Sequence, residues 1–142
     1  MPELKTVWGE NLNPEAILPE YPRPQLARNS YVNLNGRWDY AITASDAEPE
    51  HWDGEILVPF SPEAPLSGVN RTLLPGQTLW YRREIQETRR EGQRLLLHFG
   101  AVDQEAKIYI VFKRISPICP NCYIIDIGSV SSLIIKIFIP FI

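Results

Sequence analysis

Two cysteines three positions apart are the residues of this chain that most directly suggest chemistry. Cys119 and Cys122 enclose Pro and Asn in a C-x-x-C motif, and they are the only cysteines in the sequence. In a redox protein such a motif opens a helix within a strand–helix–strand pattern, and a zinc site would need a second ligand pair. No such pattern surrounds the motif, and His51 and His98 are remote from it in sequence. We therefore expect no metal site and no cofactor.

Carboxylates are the second kind of group that could carry out a reaction. Glu63, Glu84, Asp103 and Glu105 are available, yet no spacing among them forces two acids into one pocket. Acidic side chains prefer the protein surface. We therefore interpret these four as solvated strand and loop charges, and we predict no catalytic residue in this chain.

Length and charge exclude several classes of protein. A chain of 142 residues fits one domain, and its net charge of -3 gives no basic footprint for nucleic acid. The first residues lack a basic start followed by an apolar run. The apolar stretch from Leu133 to Ile142 is interrupted by Lys136 and Pro140, and it is shorter than the roughly 20 residues that span a bilayer. We expect a cytoplasmic protein that binds neither nucleic acid nor membranes.

Five short segments have the composition and alternation of β-strands. They are residues 37–42, 55–60, 79–85, 94–99 and 105–110, with Pro- and Gly-rich connections between them. No long amphipathic helix and no internal repeat is visible. This pattern predicts an all-β fold, an antiparallel β-sandwich or jelly roll.

Residue patterns within these segments give finer predictions. In the first strand, Trp38, Tyr40 and Ile42 fall on one face, with Arg37 and Asp39 opposite. The fourth strand, RLLLHF, is apolar enough to be buried on both faces, with His98 beside the core. The Asn-Gly pair at positions 35 and 36 predicts a tight turn before the first strand.

The two ends of the chain differ in character from the middle. Residues 1–30 contain five prolines and are predicted to be extended, either as a flexible lead-in or as a docked arm that Trp8, Leu18 and Tyr21 would anchor. Residues 111–142 hold ten of the sixteen isoleucines but only one of the seventeen acidic residues. Their last stretch, SLIIKIFIPFI, could pair as a substitute strand, but its high β-propensity and single charge also make it prone to aggregation.

Four separated motifs resemble a known family. YVNLNGRWDYAI, ILVPFSPEAPLSGVNR, LWYRREI and RLLLHFGAVDQEAKIYI occur in this order over residues 21–110. They are similar to the N-terminal sugar-binding domain of glycoside hydrolase family 2, the β-galactosidase and β-glucuronidase family. The resemblance implies a galactose-binding-domain-like jelly roll that packs, in the full-length parent, with an immunoglobulin-like domain and a catalytic (β/α)8 barrel.

The resemblance also implies what the site would be. Full-length members are retaining glycosidases whose two catalytic glutamates lie in the barrel, so the jelly roll contributes sugar contacts and not the reacting carboxylates. In the family, the loop before the strand matching LWYRR approaches the active site. This makes Asn70, Arg71 and Trp80 candidate substrate-binding residues for a carbohydrate partner, with core packing as the alternative role of Trp80.

The resemblance stops where the composition changes. After Ile110 nothing matches the family, and we hypothesise that the reading frame or gene model is broken near residue 111, which sequencing the locus would test. The predicted organisation is an N-terminal arm at 1–30, a partial sugar-binding β-sandwich at 31–110, and an aberrant Ile-rich tail at 111–142 that is foreign to the family. The expected function is that of a glycosidase fragment that is inactive alone. The alternatives are a free-standing carbohydrate-binding or interaction module and a redox protein that uses the C-x-x-C motif.

Overall fold

The regular structure of the described residues is almost entirely β-strand. The computed structural model describes residues 5–20, 24–26, 28–86, 95–100, 102, 106–110, 113–118, 123–127 and 133–140. Among these residues the helical elements are one four-residue α-helix, α1 (Val7–Glu10), and two 3-10 turns at Pro24–Leu26 and Pro65–Ser67. No described helix is long and apolar enough to cross a membrane.

Eight strands make up the rest of the regular structure among the described residues. In chain order they are β1 (Gly36–Thr43), β2 (Gly54–Val58), β3 (Thr78–Ile85), β4 (Leu95–Phe99), β5 (Ala106–Ile110), β6 (Lys113–Ile118), β7 (Tyr123–Ile127) and β8 (Leu133–Pro140). The first five coincide with the five segments predicted from sequence, to within two residues at each end. The prediction of an all-β fold is confirmed.

The strands form two sheets. Six of them are ordered β2-β1-β3-β8-β5-β6, and β4 pairs with β7 in a separate two-stranded sheet. The pairings β1–β3, β3–β8, β8–β5, β5–β6 and β4–β7 are all antiparallel. This is the architecture of an incomplete antiparallel β-sandwich, as the sequence predicted.

The chain divides into two compact units. The N-terminal unit contains Met1–Trp38 and Glu55–Thr72, and the sheet unit contains Asp39–Gly54 and Leu73–Ile142. In the N-terminal unit Ile17 is buried, and its carbonyl oxygen accepts hydrogen bonds from the side-chain amides of Asn33, at 3.1 Å, and Asn35, at 3.3 Å. These bonds tie the backbone at Ile17 to the segment that leads into β1.

Three finer predictions about the N-terminal residues meet different outcomes. Trp8 is 83% exposed and Leu18 is also exposed, so the prediction that they anchor the arm is wrong, while Tyr21 lies outside the described residues. The Asn-Gly pair does place a positive φ of 119° at Gly36. However, this glycine is the first residue of β1 and does not form a hairpin turn.

The strands of the sheet unit bury side chains on both of their faces. Antiparallel partners share a face, and the register aligns Ala41, Trp80, Phe138 and Lys107 across β1, β3, β8 and β5. We call this face of the sheet the aromatic face. The opposite face buries mainly aliphatic side chains in β3, β5 and β8, among them Leu79, Ile108, Ile110, Ile135 and Ile137.

Burial in two strands departs from simple alternation, and for β4 this corrects a prediction. In β1 the most buried residues are Trp38 and Ala41, which lie on opposite faces, whereas Tyr40 and Ile42 are only half-buried. In β4 Leu97 is buried, but Leu96 is 38% exposed and His98 is exposed. Apolar composition alone therefore overstated the burial of β4, because this strand lies in a two-stranded sheet and not in the middle of the larger one.

The sheet does not end where the composition changes near residue 111. Strand β8 lies between β3 and β5, and it pairs with all eight residues of β3 and with four of β5. Of the two alternatives for the Ile-rich C-terminal stretch, the structure shows the substitute strand. Ile135, Ile137 and Phe138 are buried, and Phe138 is among the most buried large side chains of the described chain.

Truncation of Phe138 is expected to destabilise the fold. Phe138→Ala should lower the free energy of unfolding by about 3 kcal/mol, because it opens a cavity against Trp80 in a fully buried site. Phe138→Leu should lower the free energy of unfolding by about 1 kcal/mol. This variant still allows a comparison with the unchanged chain if Phe138→Ala does not fold. Urea unfolding followed by tryptophan fluorescence measures both.

The matched control is Leu74→Ala, since Leu74 is exposed. It should stay within about 0.5 kcal/mol of the unchanged chain. Equal unfolding midpoints for Phe138→Ala and the unchanged chain would contradict the position of β8 in the sheet.

Candidate functional site

The loop from residue 61 to residue 77 carries two of the three predicted binding residues, and it closes on itself. The backbone N–H of Arg71 donates to the carbonyl of Pro62 at 2.9 Å, which ties the two ends of residues 62–71 together. The Ser67 hydroxyl is buried. It accepts a hydrogen bond from the N–H of Val69 at 3.0 Å and donates one to the same Pro62 carbonyl at 3.4 Å. Gly68 follows the 3-10 turn with a φ of 81°. These contacts constrain the backbone that presents the candidate residues.

Asn70 and Arg71 are both exposed at the end of this closed segment. Asn70 has a φ of 53°, in the left-handed region that asparagine tolerates better than most residues. Its side-chain amide offers donors and an acceptor, and the Arg71 guanidinium offers up to five donors. Adjacent groups of this kind suit the hydroxyl and carboxylate oxygens of a sugar.

The third candidate, Trp80, lies in the sheet unit and is 3% exposed. Its indole N–H donates to the Thr43 hydroxyl at 3.1 Å. The Phe138 ring meets it edge-on at 4.9 Å between centroids, and the Tyr109 ring lies stacked at 6.4 Å. This geometry is that of core packing, the alternative role considered for Trp80, and a role for it in sugar binding stays a prediction.

Sequence reasoning missed the loop that lies over the aromatic face, residues 44–53. We call it the acidic loop, because it contains Asp46, Glu48, Glu50 and Asp53. Its Trp52 packs against the cluster of Ala41, Trp80 and Phe138. The acidic composition and single tryptophan of TASDAEPEHWDG were the available signal, but by themselves they indicate only a polar connection.

Ionic contacts hold the acidic loop to the cations of the sheet. The carboxylate of Asp46 accepts from the Thr78 hydroxyl at 3.3 Å and lies 3.8 Å from the Lys107 ammonium. Glu48 forms an ion pair with Lys136 of β8. Each of these carboxylates therefore faces a cation or a hydroxyl of the strands below, which favours a structural role over a catalytic one.

A second polar contact lies on the next row of the aromatic face. Arg82 donates from Nε and Nη2 to one carboxylate oxygen of Asp39, at 2.9 and 2.7 Å. The same guanidinium lies 4.5 Å from the centre of the Trp52 ring. Arg82, which lies on β3, thus contacts β1 through its ion pair with Asp39 and the acidic loop through its cation–π contact with Trp52.

The other groups singled out from the sequence do not form a site among the described residues. Glu63 and Glu84 are exposed, and Asp103 and Glu105 lie outside the described residues. Both histidines are exposed, and no group of three potential metal ligands occurs among the residues that the structure describes. Cys119 and Cys122 also lie outside that part of the chain.

Solved structures of other proteins share the fold of this chain. The chain is similar in fold to part of several solved bacterial glycosidases, although no family model and no curated protein matches its sequence. At the identities found, below 20%, this likeness shows a shared fold.

Three of these structures give the extent of the likeness. Faecalibacterium prausnitzii β-glucuronidase matches 85% of this chain at a TM-score of 0.63 and 18% identity, over 22% of its own length. Ruminococcus gnavus β-glucuronidase matches 86% at 0.62 and 16% identity, over 23% of its length. β-D-mannosidase from Dictyoglomus thermophilum matches 77% at 0.56 and 13% identity, over 15% of its length. The chain therefore spans less than a quarter of each of these enzymes.

The left-handed backbone at Asn70 makes a prediction about stability. Asn70→Gly should remain within about 0.5 kcal/mol of the unchanged chain, because glycine adopts a positive φ freely. Asn70→Ala should cost about 1 kcal/mol, because a Cβ without a compensating polar group is strained there. Chemical denaturation of both variants measures the difference, and equal stabilities would show that residue 70 is not left-handed in solution.

Proposed function

We propose that this chain is the sugar-side, non-catalytic β-domain of a glycoside hydrolase family 2 enzyme, separated from its catalytic barrel. The observation that carries the proposal is the fold likeness to two β-glucuronidases and a β-mannosidase, which covers most of this chain but less than a quarter of each enzyme. The four sequence motifs within residues 21–110 support the same family independently of the fold likeness.

The reaction of such an enzyme needs groups that the described residues do not supply. A retaining glycosidase uses two carboxyl groups about 5 Å apart, and the barrel that carries them in this family needs about 250 residues. Here Asp39, Asp46 and Glu48 each face a cation or hydroxyl. In the proposed parent protein, the missing glutamates belong to the barrel, with an immunoglobulin-like domain as a further partner.

The proposed ligand is a carbohydrate bound beside the 61–77 loop. Asn70 and Arg71 are adjacent exposed polar residues of this loop, held on a backbone that is closed at Pro62. In this proposal they contact sugar oxygens while the barrel performs the chemistry. Trp80, which is buried in the sheet unit, would contribute through the packing of that unit.

The purified chain should show no glycosidase turnover. Chromogenic β-glucuronide, β-galactoside and β-mannoside should each give a rate equal to the buffer blank, because in this proposal the two reacting carboxyl groups belong to the barrel. Turnover that co-elutes with the monomeric chain on size exclusion, and survives a second purification step, would overturn the proposal.

The alternative function is a free-standing carbohydrate-binding module, and the exposure of Asn70 and Arg71 is the observation that favours it. Under the main proposal, calorimetric titration with the corresponding free sugars should show no measurable heat of binding, because half of the site is absent. Saturable binding would favour the module if Arg71→Ala and Asn70→Gly abolish it. Arg28→Ala, which removes another exposed arginine of the same unit, serves as the matched control.

A further inference from the structure

Strand β8 fills a slot that is defined on both sides by main-chain pairing. Its register with β3 runs from Thr78 opposite Pro140 to Ile85 opposite Leu133, and its register with β5 runs from Lys107 opposite Phe138 to Ile110 opposite Ile135. Backbone pairing of this kind supplies affinity without sequence preference, and the side chains that alternate along the strand supply specificity. The slot is therefore a site for an extended segment.

The aromatic face of the slot selects the occupant by two side chains. Phe138 lies edge-on to Trp80, with the Lys107 ammonium 4.5 Å from the centre of its ring. Two residues earlier Lys136, whose side chain is 12% exposed, forms its ion pair with Glu48. A slip of one residue would move both side chains to the aliphatic face, so the slot accepts the segment in a single register.

We propose that the slot between β3 and β5 is a strand-acceptor site, and that two copies of this chain exchange β8, so that residues 133–140 of one copy occupy the slot of the other. Every contact described above for β8 involves only its own residues and those of β1, β3, β5 and the acidic loop. These contacts are the same whichever copy supplies the strand, which is the condition under which domain swapping has a low cost. The charge complementarity of Lys136 and Glu48 and the aromatic fit of Phe138 identify the occupant as this segment.

Exchange depends on concentration. In one chain the tethered segment has an effective concentration in the millimolar range, so the closed monomer dominates in dilute solution. Refolding at high protein concentration allows a segment from a second copy to reach an empty slot first. The exchanged dimer is then expected to persist until the chain unfolds.

The test uses full-length chains in which one cysteine marks each side of the slot. Glu84 and Ile134 are direct antiparallel partners, so cysteines at these two positions lie within reach of a disulfide. All variants carry Cys119→Ser and Cys122→Ser. Glu84→Cys chains and Ile134→Cys chains are unfolded together, refolded at high concentration, oxidised mildly and separated on a non-reducing gel.

The expected result is a disulfide-linked heterodimer at about tenfold or more above a control mixture, because the paired cysteines are held in contact. The control mixes Ile134→Cys with Leu74→Cys, since Leu74 is exposed and precedes the opposite end of β3. A chain with both Glu84→Cys and Ile134→Cys, refolded in dilute solution, should close its disulfide internally.

Two results would overturn the proposal. If the double variant closes internally but the mixed refolding yields no more heterodimer than the Leu74→Cys control, β8 does not exchange. If the double variant fails to close, β8 does not occupy the slot. Neither result depends on whether the chain binds sugar, so this proposal and the proposed function fail separately.

Discussion

The contact between Phe138 and Trp80 is the interaction on which the sheet unit depends. It joins β8 to β3 in the middle of the six-stranded sheet, at a centroid distance of 4.9 Å, with both rings almost fully buried. Without β8, β3 and β5 would each present an unpaired edge, and Trp80 would lose one of the rings that cover it. The part of the chain that looks foreign by composition thus contributes a central strand.

The acidic loop is held over the sheet by ion pairs as well as by the packing of Trp52. Lysines at positions 107 and 136 and the arginine at position 82 would be costly on a buried sheet face without partners. Asp46, Glu48 and Asp39 supply those partners, and Trp52 covers the rings between them. The carboxylates of these pairs are partly exposed, so each pair contributes little stability individually. The pairs of Asp46 and Glu48 nevertheless help to position the loop over the sheet. The charged residues of this face therefore belong to the packing of the fold.

The sequence predicted local structure well and long-range pairing poorly. The alternation in residues 37–42 and 79–85 identified β1 and β3, and the positive φ at the Asn-Gly pair followed from glycine chemistry. Which face of β1 is buried could not be predicted, because Ala41 is covered by Trp80 and Phe138 from strands distant in sequence. The pairing of Asp39 with Arg82 joins residues 43 positions apart, and no local pattern announces it. Of the candidate site, Asn70 and Arg71 are exposed and their binding role stays a prediction, whereas the burial of Trp80 depends on tertiary packing.

The central claim is that β8 lies between β3 and β5, since the burial of the aromatic face and the strand-acceptor site both depend on it. Native-state hydrogen exchange followed by mass spectrometry tests this directly, because it reports the protection of each strand's amides. We expect the backbone amides of residues 133–140 to exchange as slowly as those of residues 78–85. Exchange of the 133–140 amides at the rate of an unfolded chain, while those of β3 stay protected, would contradict it.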